Sequence, residues 1–389
     1  MLVSQALRGF GYGFGAVLIA STLAERRFSP FEIGIVLGSV VAGTVAAQLA
    51  VGRWADRWGR RRSYSALYIA IGLAAITYAT SSPIWLMVVV SLSGALSTEV
   101  IESGPFTTLE LSMLAGRLDS NALAKGFGWY NAIAASAGAA GALAASIPER
   151  ARRVWPQAPP DRVWLLGLVA VAVLGCLLTS RLSLAVEAPT PRRGSESLGA
   201  SRPTVFRLSS LFAVDAFAGG FVVQTFIAFW LIDNLRATTA MVGILFAVIG
   251  VVQTLSFLAA PLLARRFGLL NTMVFTHLPS NLFLAAVAFS PNFSVAAAML
   301  LGRAALSQMD VPTRQAYVVE LVRPEERTAA IAYTNTARYI ARPLGPFLAS
   351  AVLIQAVGAP FLIAGVVKSI YDLVLWRWFK SIPLTHDRA

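Results

Sequence analysis

Ionisable side chains recur inside stretches of this chain that are otherwise apolar. Arg8 stands in the run 4–24, Glu99 and Glu102 interrupt 84–111, Asp215 lies in 208–232 and Asp310 in 294–318. If these runs cross a bilayer, each buried charge costs roughly 2.5–3.5 kcal/mol, so a retained one has a partner or a task. The carboxylates can take up and release protons, or they can pair with Arg8 and Arg314 as a gate. A plainer reading leaves Glu102 and Asp310 near water at helix ends. Pro105 and Pro312 follow them closely and predict kinks. Arg338 and Arg342 share a helical face and keep their charge at any relevant pH. That suits an anionic group on a bound solute, or partners among Glu99, Asp310 and Glu320. Lys368 and Asp372, four apart, predict an intrahelical pair, and His277 reads as a packing histidine. No phosphate-binding glycine loop, metal-ligand cluster or nucleophile–base set stands out, so no cofactor, metal or catalysis is expected.

The composition explains why such charges would be embedded. Of 389 residues, 57% are hydrophobic and 13% charged. A soluble domain carries roughly 25% charged residues, and 13% cannot cover the surfaces of two or three soluble domains. A membrane helix takes about 20 apolar residues. Apolar runs fall at 4–24, 32–52, 63–80, 84–111, 127–147 and 163–182, then at 208–232, 239–263, 272–290, 294–318, 329–352 and 361–379. The first run continues past any cleavable length, so it reads as a retained span. Between the sixth and seventh, the Pro-, Ser- and Gly-rich stretch 186–207 reads as a linker. The single cysteine, Cys176, lies in an apolar run and reads as a packed thiol.

A net charge of +13 would suggest nucleic acid in a soluble protein. Here basic loops have a different origin, because Lys and Arg are retained on the cytosolic face during insertion. With a cytosolic N-terminus, 19 of the 32 Lys and Arg fall on that face, seven on the other and six within spans. Both termini and the linker are therefore expected in the cytosol. The loop 148–161 is the basic exception. The halves also repeat: Gly128–Ser146 aligns with Ala332–Ser350, placing Asn131 on Asn335 and Gly141 on Gly345. Duplicated halves of this kind place a substrate site at their interface, near the bilayer midplane.

Between the second and third spans runs GRWADRWGRRR, Gly52–Arg62. Gly52 and Gly59 permit a tight turn, Asp56 can accept bonds from helix N-terminal amides, and Arg57, Arg60 and Arg61 suit a cytosolic surface. At these positions the sequence resembles the major facilitator superfamily, whose signature G-x-x-x-D-[RK]-x-G-[RK]-[RK] is filled throughout by Gly52, Asp56, Arg57, Gly59, Arg60 and Arg61. A weaker copy, Pro261–Asn271, retains Gly268 but has Arg265 in place of the aspartate.

The resemblance implies an all-α polytopic membrane protein, with twelve transmembrane helices as two six-helix bundles, 1–185 and 208–389. It implies alternating access about a cavity lined by spans one, four, seven and ten, which places Arg8, Glu99, Glu102, Asp215 and Asp310 along the pathway beside Arg338 and Arg342. Asp56 would cap the eleventh helix when the cytosolic side is closed. The chain lacks the fourth-span arginine of drug antiporters, and its Gly345–Pro346 pair stands in the eleventh span instead of the fifth. The expected function is secondary active transport of a small solute, proton-coupled, with a lean to anionic or zwitterionic organic substrates. Multidrug or lipid efflux and a non-transporting sensor are the alternatives. The expected partners are the lipid bilayer, the solute and protons, in a monomer of the plasma (bacterial inner) membrane.

Overall fold

The computed structural model describes residues 2–97, 104–115, 120–183, 187, 198–199, 201–323 and 326–382. Their regular structure is helical: α1 (Leu2–Glu25), α2 (Pro30–Trp58), α3 (Arg60–Thr80), α4 (Ile84–Ser91), α5 (Gly104–Ala115), α6 (Ser120–Ala144), α7 (Ile147–Val154), α8 (Asp161–Trp164) and α9 (Gly167–Ser180). After these come α10 (Arg202–Gly220), α11 (Gln224–Asn234), α12 (Thr239–Phe267), α13 (Leu269–Val287), α14 (Phe293–Ser307), α15 (Asp310–Leu321), α16 (Arg327–Ala341), α17 (Leu344–Leu353) and α18 (Ala359–Phe379). Each apolar run is met by one helix or by two successive ones. Five runs are divided, into α4/α5, α8/α9, α10/α11, α14/α15 and α16/α17.

The divisions have local causes. Gly219 and Gly220 end α10, where glycine weakens a helix. Pro312 sits in the first turn of α15, where its missing N–H costs nothing. Pro343 precedes α17. Gly94 and Gly104, both at positive φ, flank the gap between α4 and α5. Among the described residues, eight segments are long and apolar enough to cross a membrane. Large apolar side chains such as Leu258 and Phe289 stand exposed, 68% and 73%, as lipid contact requires.

Two compact units emerge: Met1–Pro191 with Val223–Val251, and Arg192–Val222 with Val252–Ala389. In the first, α1 packs along α6 and α11; in the second, α10 packs against α16, α17 and α18, and α13 against α18, α14 and α15. The aligned glycines occupy matching crossings within their own units. A Cβ on Gly141 of α6 would run into the Phe10 carbonyl of α1, and one on Gly345 of α17 into the Gly220 backbone of α10. Both obstacles are backbone and cannot swing aside. Gly141→Val and Gly345→Val are each expected to cost about 1–3 kcal/mol or more through overpacking. Thermal unfolding of the purified protein checks this, against Gly52→Val, a position with nothing within 4 Å of a Cβ.

The loop between the second and third spans is shorter than its sequence suggests. Helix α2 continues through Trp58, and Gly59 alone, at φ +94°, turns the chain into α3. Gly52 is therefore a helical residue and makes no turn; the apolar stretch and the basic end form one uninterrupted helix. The start of α3 is capped from a distance. Glu187 accepts from the backbone N–H of Arg60 at 2.7 Å and of Arg61 at 3.0 Å, satisfying two of the helix's open donors. The Arg61 guanidinium donates to the Ser180 carbonyl at 2.7 Å.

The far end of the stretch 186–207 is also ordered, since α10 already begins at Arg202. Glu326 accepts from Ser201 Oγ at 2.6 Å and from the Gly199 N–H at 2.5 Å. These bonds hold its carboxylate below the usual range, the Ser201 hydroxyl contributing most.

Candidate functional site: two buried ionic clusters

The first cluster is built on Arg8. A guanidinium four residues into the run on α1 meets Glu110 of α5 at 2.6 Å, and both side chains are fully buried. Tyr130 of α6 accepts from Arg8 at 2.8 Å, Gln5 lies against the guanidinium one turn earlier, and the Tyr64 and Tyr130 hydroxyls donate to Glu110. The rings of Tyr12 and Phe106 lie 5.5 and 5.3 Å from the guanidinium carbon, close enough for cation–π attraction. A cation and an anion removed from water are thus held by four helices of one unit. Such a cluster fixes α1, α3, α5 and α6 to one another.

Glu110 is the residue that sequence reading passed over. It falls at the end of the run 84–111, eight residues beyond Glu102. Glu99 and Glu102 lie outside the described residues, as does the side chain of Asp56.

The second cluster gathers residues from five helices of the second unit. Asp215 on α10 accepts from Lys368 on α18 at 2.5 Å. Arg314 on α15 pairs with Asp310, one turn before it, at 2.6 Å, and stands 3.8 Å from Asp215. On α18, Asp372 takes His277 Nδ1 at 3.0 Å and Asn281 Nδ2 at 2.8 Å, both from α13. From α16, Arg338 acts electrostatically on Asp215. Apart from Arg338, which is half-buried, these side chains are buried, Asp372 and Asn281 at 0% exposure.

One expectation changes here. Lys368 and Asp372 do not pair with each other, because each finds a partner on another helix, Asp215 and His277. His277 is buried and packs edge-on against Tyr371, as a packing histidine does, and Asp372 satisfies its Nδ1. What hid both contacts is that their partners lie 153 and 95 residues away. Asp215 and Asp310 share Arg314, so the pairing of embedded acids with Arg314 is present, while Arg8 takes Glu110. Arg342 lies half-buried at the C-terminal boundary of α16.

The basic exception at 148–161 is largely neutralised. Arg152 pairs with Asp161 at 2.6 Å and Arg153 with Glu149 at 3.0 Å. Asp161 also accepts from Ser21 of α1 at 2.6 Å and from Thr239 of α12 at 2.7 Å, and Glu149 caps α12 through the Ala240 N–H at 2.8 Å. These bonds bring the start of α12 into the first unit.

Comparison with other proteins agrees with the architecture. The family model for the Major Facilitator Superfamily matches residues 1–346. An uncharacterised membrane protein of Saccharomyces cerevisiae, YJR124C, is 21% identical over 379 residues, covering 88% of this chain and 85% of that protein. Among solved structures, a D-xylose–proton symporter superposes with a TM-score of 0.76 at 15% identity, over 99% of this chain and 98% of that one. The nucleoside transporter NupG gives 0.72 at 15% identity, over 98% of each chain. A bacterial homologue of the human lysosomal transporter Spinster gives 0.70 at 15%, over 97% and 96%. At this identity the likeness concerns the twelve-helix fold.

Proposed function

The chain belongs to the major facilitator superfamily, and we propose that it moves a small anionic or zwitterionic organic solute by alternating access, coupled to protons. The observation that carries this reading is the second cluster: three carboxylates, a lysine, two arginines and a histidine gathered within apolar helices. Static structural pairing does not need so many ionisable groups in one place, whereas a cycle of charge exchange does. The symport named for the D-xylose protein fits the same reading. Arg338 and Arg342 supply permanent positive charge one turn apart, which favours a solute bearing a carboxylate or phosphate. Arg8, Asp215 and Asp310 hold the helices that line the pathway. The motif Gly52, Asp56, Arg57, Gly59, Arg60 and Arg61 serves the cytosolic gate, and Glu99 and Glu102 belong to the same pathway. In this reading the halves of the repeat are 1–185 and 208–389, the chain acts as a monomer without cofactor, and both termini face the cytosol of a bacterial inner membrane.

Thermal-shift screening of the purified protein tests the substrate class. Organic anions and amino acids are expected to raise the unfolding temperature, and Arg338→Ala and Arg342→Ala to abolish that rise. Stabilisation by neutral sugars alone, unaffected by either replacement, would contradict the anion preference. Reporter fusions at each terminus and within Gly194–Ser201 test orientation. Cytosolic activity is expected at all three, and external activity at any one overturns the topology.

A further inference from the structure

We propose that the His277–Asp372 pair is the site where the coupling proton binds, and that Lys368 passes its protonation state to Asp215. The inference rests on the transporter reading above and assigns its coupling site. It concerns two residues in spans nine and twelve, away from the four spans that the family resemblance assigns to the cavity.

The hydrogen-bond geometry assigns the first proton. A carboxylate only accepts, and Asp372 presents its oxygens to His277 Nδ1 at 3.0 and 3.1 Å. With Asp372 ionised, Nδ1 carries the hydrogen of this contact. The remaining position, Nε2, is the one that gains or loses a proton. Uptake forms one N–H bond on Nε2 and adds one positive charge; nothing else is made or broken. Asn281 donates to Asp372 Oδ2 and holds the carboxylate in place.

The surroundings make that proton consequential. Three helices pack against α13. From α18 come Asp372, Lys368 and the Tyr371 ring, edge-on with its centroid 6.2 Å from the imidazole. From α15 come Asp310 and its partner Arg314. The third helix, α14, carries Arg303 as its single charge. Across the cluster, Asp215, Asp310 and Asp372 stand against Lys368 and Arg314, with Arg338 acting on Asp215 from its half-buried place on α16. Protonated His277 gives Asp372 a cation of its own. With the proton gone, Asp372 faces a neutral ring in a low-dielectric interior, where an unpaired carboxylate is costly.

A cation stands on the same helix. Lys368 lies one turn before Asp372, the spacing at which side chains on a helix meet, and its ammonium is held by Asp215 at 2.5 Å. Deprotonation of His277 draws Lys368 toward Asp372 and loosens its hold on Asp215. That contact ties α18 to α10, the helix of the seventh span. One proton on α13 thereby changes the grip on a pathway helix.

The chain has two histidines, His277 and His386, so ring-labelled histidine gives two assignable NMR signals from the full-length protein in nanodiscs. His386→Gln identifies them. The His277 signal is expected to move between about pH 5 and 9, and Asp372→Asn to weaken proton binding there by about tenfold or more. Conformation is read by electron–electron distance measurements between spin labels at Arg62→Cys and Arg266→Cys, both exposed positions, in a Cys176→Ser background. The distance distribution is expected to shift with pH in the parent and to ignore pH in His277→Gln. A His277 signal that stays fixed over that range overturns the proposal. So does a parent that ignores pH, or a pH response that survives His277→Gln. Counterflow of radiolabelled organic anions and amino acids, which needs no proton gradient, is scored separately. Its absence for every solute removes the transporter reading, whatever His277 does.

Discussion

Glu110→Gln is expected to be the most damaging single replacement in the first unit, lowering stability by about 3–5 kcal/mol. The glutamine keeps the size and two polar atoms of glutamate, so the loss isolates the charge. It leaves the Arg8 guanidinium fully buried, with two tyrosine hydroxyls and Gln5 around it and no counter-ion at 2.6 Å. The origin of the penalty can be separated from packing. Arg8→Met combined with Glu110→Met removes both charges and fills similar volume, and is expected to recover most of the stability, because replacing an entire buried pair is often close to neutral. Thermal and denaturant unfolding of the three variants in one detergent measures this. Equal losses in the single and the double variant would show that shape, not charge balance, dominates the cluster.

Lys368→Ala is the corresponding change in the second unit, with an expected loss of about 3–5 kcal/mol. It removes the cation 2.5 Å from Asp215, leaving Arg314, at 3.8 Å and already shared with Asp310. The choice of rescuing partner discriminates between two pairings. If Lys368 serves Asp215, then Asp215→Asn in the same chain restores stability and Asp372→Asn does not. If it served its helical neighbour, the reverse would hold. A pair of double-mutant cycles yields both coupling energies; the Lys368–Asp215 term is expected to be the larger.

The twelve apolar runs were legible because lipid demands an uninterrupted apolar stretch of fixed length, and that demand leaves a one-dimensional record. Matching of Gly141 with Gly345 was legible for a related reason. Each marks a helix crossing where backbone meets backbone, and a side chain at either place would prevent it. The helix breaks were only partly visible. Pro312 announces α15 and Gly59 ends α2 at Trp58, but Gly52 reads as an equal candidate for the turn, and an unbroken helix simply tolerates that glycine.

The ionic sites divide in the same way. That Arg8, Asp215 and Asp310 needed partners followed from their cost in an apolar run. Who the partners are did not, since Arg8 reaches Glu110 across 102 residues and Asp215 reaches Lys368 across 153. The i,i+4 rule suggested Lys368 with Asp372, and it names a possible contact on one helix without knowing what a neighbouring helix offers. Asp310 does pair with Arg314, one of the two arginines offered to the embedded acids as gate partners. Glu187 illustrates the reverse case: a Pro- and Ser-rich context reads as linker, yet its carboxylate is ordered by the open amides at the start of α3.

Proton-coupled secondary transport is tested most directly in proteoliposomes of the purified parent, using a solute selected by thermal shift and comparing two modes. Counterflow requires only that the loaded carrier turn over, while uphill accumulation requires that the pH gradient be used. Uptake against the solute gradient on imposing a pH step, abolished by a protonophore while counterflow persists, is the expected result. Counterflow with no response to the pH step would contradict proton coupling, and failure of both modes with every stabilising solute would contradict transport itself.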